Sequence, residues 1–250
     1  MSRLLGLAAS LVAASLPVAA SAADGGLRPY LDLEAGLGWA RYNDVQVPGD
    51  AGTRFSLSDG AFSTETAPIL RVQAGARWRR HALSATFAPV RLQGNGSSGE
   101  TVVFRGESFT ASEDASARYR FDSYRLTYRY FLVDAARFEL ALGATGLVRN
   151  AEIRLSQPGR STAEKNVGVV PLASLRVAGK LGGPVWLALD GDALASTQGR
   201  AEDVSLALEV RSGELTFRAG YRLLEGGADD DEVYNFAWIH QITAGVRYEL

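Results

Sequence analysis

Apolar and polar residues alternate along most of this chain, and the alternation recurs about ten times. Leu31, Leu33, Ala35, Leu37 and Trp39 interleave with Asp32, Glu34, Gly36 and Gly38. Leu70, Val72, Ala74, Ala76 and Trp78 interleave with Arg71, Gln73, Gly75 and Arg77. Leu83, Ala85 and Phe87 follow, then Tyr124, Leu126, Tyr128 and Tyr130 against Ser123, Arg125, Thr127 and Arg129. Further segments centre on 138–145, 169–177, 185–193, 204–211 and 214–223, and the last runs from Gln241 to Leu250. A period of two places successive side chains on opposite faces of a strand, and helical spacing fits none of these segments as well.

The connectors alternate in length. Those near 80, 134, 182 and 212 are short, and Ser212-Gly213 reads as a tight hairpin turn. Those at 43–66, 94–117, 157–166, 196–203 and 225–233 are longer and rich in Gly, Ser, Asp or Pro. Thr101-Val102-Val103-Phe104 could open one extra hairpin. The count is therefore about ten strands, with 8 or 12 as alternatives.

In the last segment Ile242, Ala244, Val246, Tyr248 and Leu250 form an oily face that nothing downstream covers, while the opposite face carries Arg247 and Glu249. A closed barrel in lipid reconciles the two, with acyl chains outside and polar side chains inside. Short turns on one side and long loops on the other fit an even-stranded, antiparallel up-and-down transmembrane barrel whose termini are periplasmic. A soluble barrel or sandwich would instead need the arginine-bearing faces outside.

Parity then assigns a charged lumen. Arg77, Arg125, Arg129, Arg176, Arg218, Arg222 and Arg247 point inward, as do Glu34, Glu139, Asp190, Asp192 and Glu209. About ten strands leave a bore that side chains largely fill. Both signs there should pair, because an unpaired buried charge is costly. For Asp190 and Asp192 the expected counter-charges are Arg176, Arg211, Arg218 and Arg222.

Residues 1–23 read as a secretory signal: Arg3, an apolar stretch from Leu4 to Val18, and Ala20-Ser21-Ala22 before the cut. The mature chain, 24–250, reads as one barrel domain. No later apolar run reaches about 18 residues. Without cysteine, disulfides and thiolate metal sites are excluded. A formal charge of −2 is no footprint for nucleic acid. The basic residues are arginines apart from Lys165 and Lys180, which suits bidentate pairing with lumen carboxylates and equally codon bias in an Ala/Gly/Arg-rich genome.

The C-terminal strand, with its terminal apolar residue, Tyr248 two before it and alternation upstream, resembles the signature of Gram-negative outer-membrane barrels, in which Phe or Trp usually stands where this chain has Leu250. Together with the signal and strand pattern, the chain resembles small barrels of the broad OmpA/OmpW-like kind. The resemblance implies residence in the outer membrane, contact with its lipid and lipopolysaccharide, and insertion by the barrel assembly machinery.

It implies no activity. Outer-membrane lipid A deacylases place a nucleophilic Ser two residues from a His on an outward face; Trp238 and Ile242 flank His240 at that spacing. Omptin proteases place a carboxylate two residues before a rim His, where this chain has Trp238. His240 reads as part of an aromatic girdle and His81 as a solvated residue of a periplasmic turn. The run Asp229-Asp230-Asp231-Glu232 lacks the spacing of a calcium loop. The expectation is a non-enzymatic barrel serving envelope structure, surface contact or small-solute interaction, without cofactor or metal. A narrow channel is the alternative and an outer-membrane hydrolase the third reading.

Overall fold

The computed structural model describes residues 26–58, 62–97, 100–196 and 199–250, so the proposed signal, 1–23, lies outside the described residues. Ten long strands form the wall: β1 (Leu27–Gln46), β4 (Ala67–Trp78), β5 (His81–Gly96), β8 (Ala115–Ala135), β9 (Phe138–Gln157), β10 (Arg160–Gly182), β11 (Val185–Ser196), β12 (Gly199–Ser212), β13 (Leu215–Asp229) and β14 (Tyr234–Glu249). Four short strands lie in two loops: β2 (Phe55–Ser56), β3 (Phe62–Thr64), β6 (Val102–Phe104) and β7 (Glu107–Phe109). Each wall strand pairs antiparallel with the next, and β14 returns to β1 in a register running from Tyr30↔Glu249 to Gln46↔Tyr234. Closure leaves no free sheet edge along this seam, the condition for a sheet in lipid.

The extra hairpin at 101–109 forms, as β6 and β7, but it makes its own two-stranded sheet and does not enter the wall. Three connectors expected to be loops are mostly strand. β9 and β10 stay paired out to Gln157↔Arg160, β12 begins at Gly199, and β13 runs to Asp229. Above the membrane both strand faces can be polar, so the alternation fades while the backbone ladder continues to satisfy its donors and acceptors. The turns on the opposite side are tight, and Gly183 and Gly213 take positive φ there.

The outer surface matches a lipid solvent. Leu37, Leu126, Val169, Leu208 and Ile242 stand at least half exposed on different strands. So continuous an apolar band would be a liability in water. Aromatic clusters flank it. At the turn end Trp78 stacks on His81, whose Nδ1 lies 2.8 Å from the Tyr128 hydroxyl. His81 thus opens β5 as a girdle residue rather than lying free in a turn. At the loop end Trp39 stacks on His240, beside Trp238 and Tyr221.

Inside the loop end of the barrel sits a second, unexpected core. Val47, Leu57 and Phe62 from one long loop region and Val102, Phe104 and Phe109 from the other pack on Val45, Ile69, Val90, Leu92, Ile153, Leu155 and Ile239 of the wall. The loops fold into the barrel mouth and bury these side chains almost completely.

Candidate functional site

The lumen carries its charges as pairs in tiers. Near the turn end, Arg247 Nε donates to Asp32 at 2.9 Å, and Arg218 also reaches Asp32. Arg211 binds Glu139 at 2.6 Å and Glu209 at 2.8 Å while its guanidinium lies 3.9 Å over the Trp186 ring. Arg176 donates from one nitrogen to both oxygens of Glu209, at 3.0 Å each, and from another to Asp190 at 2.6 Å. Arg129 meets Asp190 from β8 at 2.5 Å. Arg77 pairs with Asp134 at the wetter end of the bore.

The tier above crosses the bore. Asp203, on β12, accepts from Arg222 at 2.6 Å, Arg125 at 2.8 Å and Arg71 at 3.1 Å, and these arginines stand on β13, β8 and β4. Arg222 continues to Glu34 at 3.0 Å, and Arg125 to Asp192 at 3.0 Å. Asp192 also accepts from Ser174 at 2.6 Å and Thr145 at 3.0 Å. The Arg125 side chain retains only 2% of its exposure. Such a tier spans the bore with groups whose separation would strand charge in a low dielectric.

All twelve lumen residues singled out from parity face the interior and join this network. The partners differ in part from expectation. Asp190 and Asp192 are held by Arg129, Arg176 and Arg125, whereas Arg211, Arg218 and Arg222 serve Glu139, Glu209, Asp32, Glu34 and Asp203. Strand tilt carries a side chain toward partners several residues displaced, which adjacency alone does not give. Parity reasoning missed Asp203, the hub, because 196–203 reads as a polar loop. Its signal was there: Asp203 keeps the inward parity of Ser205 and Glu209.

The Asp203 tier separates two cavities. Below it lies a polar space of about 170 Å³ among the turn-end charges. Above it, beside the loop core, lies a larger space of about 350 Å³. Its walls include Phe121, Leu147, Leu172, Leu194, Leu224 and Ile239, with Tyr119 and Arg149 among them. Burial pushes the Tyr119 phenol up to about 12, so that hydroxyl stays neutral.

No protein-family model matches the chain, and no curated protein matches it by sequence. Solved structures do match. The outer-membrane protease OmpT from Escherichia coli superposes with a TM-score of 0.56 over 89% of this chain and 97% of its own, at 9% identity. The fold is that of the outer-membrane barrels. The β domain of the Bordetella autotransporter BrkA gives a TM-score of 0.46 at 12% identity, covering 89% of this chain and 98% of that one. Neisserial surface protein A gives 0.36 at 15% identity, over 89% and 97%. At these identities the likeness is one of architecture. The barrel's two histidines both lie on the outer wall, each among aromatic rings.

Proposed function

We propose that this protein is a non-enzymatic integral barrel of the outer membrane, sealed through its bore, that works at the cell surface through its folded loop end. Exposed apolar side chains all round the wall support the membrane placement. The Asp203 tier carries the reading of a seal: one carboxylate holds three arginines from different sides of the bore. The apolar core of the infolded loops adds a second stopper above it. A barrel closed twice offers a surface and a recess rather than a pathway. Its partners on this reading are outer-membrane lipid and lipopolysaccharide around the belt, and the barrel assembly machinery during insertion.

Membrane integration and orientation are tested on cells. The protein should stay with outer membranes through carbonate extraction. Asp230→Cys should react with an impermeant thiol label on intact cells, and Ser212→Cys only after lysis; the chain has no cysteine of its own to interfere. Soluble recovery from the periplasm, or the reverse labelling pattern, would contradict the proposal.

A further inference from the structure

The wall ladder is interrupted above Val72↔Phe87 between β4 and β5, and again between β10 and β11. β10 pairs with β11 from Gly182↔Val185 up to Ala173↔Ala193 and no further. Above that point β10 bonds only to β9, out to Arg160↔Gln157, and Leu194–Ser196 of β11 bond only to β12. Pro171 stands just past the last pair, where a residue without an N–H cannot extend the ladder. The separation opens at the upper edge of the apolar belt, where outward Val169, at 75% exposure, pairs on its other side with Val148.

The larger cavity lies behind this gap. Its lining includes Val169, Val170, Pro171 and Leu172 of β10 on one side and Leu194 of β11, with Arg200 and Ala201 of β12 behind it, on the other. The stretch of β10 that lacks a β11 partner thus borders the space directly. Its volume of about 350 Å³ falls within the range of small-molecule sites, roughly 300–1,000 Å³.

Arg149 on β9 gives the cavity its chemistry. The lumen arginines of the tiers below each reach a carboxylate; Arg149 reaches none among the described residues, and its buried Nε has no hydrogen-bond partner. It lies over Gly168, where a methyl group would stand 2.8 Å from that Nε. An inward guanidinium without a counter-ion, in a recess that also presents apolar side chains, is suited to a ligand that brings the anion.

We infer that the space behind the β10–β11 gap binds an anionic single-chain amphiphile, its carboxylate or other acidic head on Arg149 and its hydrocarbon among Leu147, Leu172, Leu194 and Leu224, entering sideways from the outer leaflet. This rests on the membrane placement proposed above, which carbonate extraction tests separately.

The test uses the mature barrel in lipid nanodiscs, with 11-(dansylamino)undecanoate as fluorescent probe and dodecanoate or dodecanol as competitor. The probe should bind saturably, and dodecanoate should displace it at least tenfold better than dodecanol. Arg149→Gln should weaken the probe about tenfold or more and erase the preference for carboxylate, while Arg149→Lys keeps most of it. The heat-shifted gel band of the folded barrel should stay unchanged in each variant, since Arg149 holds no internal partner. Leu172→Cys with Leu194→Cys continues the β10–β11 register by one pair; oxidised, it should slow loading sharply, and reduction should restore it. Equal affinities of wild type and Arg149→Gln for the probe would overturn the head-group assignment. Unchanged loading of the oxidised double variant would overturn sideways entry.

Discussion

Asp203 is the side chain on which most of the interior depends. It satisfies three guanidinium groups at once, and all four groups lie away from bulk water. Asp203→Asn keeps the shape and removes the charge, leaving Arg71 without a carboxylate and Arg125 and Arg222 with one fewer. The expected loss is on the order of 3–5 kcal/mol, the usual result of breaking a buried pair from one side, read as earlier unfolding in urea or on heating. Asp134→Ala removes the partner of Arg77 at the exposed end and should cost about 0–1 kcal/mol. Equal effects of the two would mean that water fills the bore and screens both sites. The inward set was legible from parity because a strand cannot turn one side chain without turning its neighbours. The pairing was not, since it depends on strand tilt and on how far each guanidinium reaches. Arg149 shows the same limit from the other side: parity places it inward, but only the packed barrel shows that no carboxylate comes to meet it.

The strands themselves were readable where they cross lipid and unreadable beyond it. Ten alternating segments mark ten wall strands, because lipid outside and charge inside impose opposite demands on alternate positions. Above the belt that contrast disappears, and the extensions of β9, β10, β12 and β13 therefore read as loops. The infolded loops left a different trace. Phe55, Leu57, Phe62, Val102, Phe104 and Phe109 are too apolar for solvated connectors, and all but Phe55, half-buried against the same cluster, are among its buried members. Close approach of neighbouring strands also shapes an element. A methyl group at Gly143 on β9 would overlap the backbone carbonyl oxygen of Tyr128 on β8. Gly143→Ala should accordingly reduce the yield of folded barrel, whereas Gly146→Ala, with nothing within 4 Å of the added carbon, should leave it unchanged. Heat-modifiable mobility on cold gels reads both, and equal yields would show that the β8–β9 pair can separate to admit the methyl.

At the scale of the whole molecule, the barrel is divided along its axis. A polar space lies toward the turns, a tier of crossed ion pairs spans the middle, and an apolar core with a recess beside it fills the loop end. The tiers hold one another in place: the same arginines that cross the bore tie its walls together, so on the proposed reading rigidity and closure have one cause. Conductance across a planar bilayer is the most direct measurement of that claim. The unmutated protein should pass little or no steady current. Neutralising both Asp192 and Asp203 to Ala should unfold earlier and, where barrels survive, give noisy openings. Large, stable openings from the unmutated protein would contradict the closed bore and favour a channel.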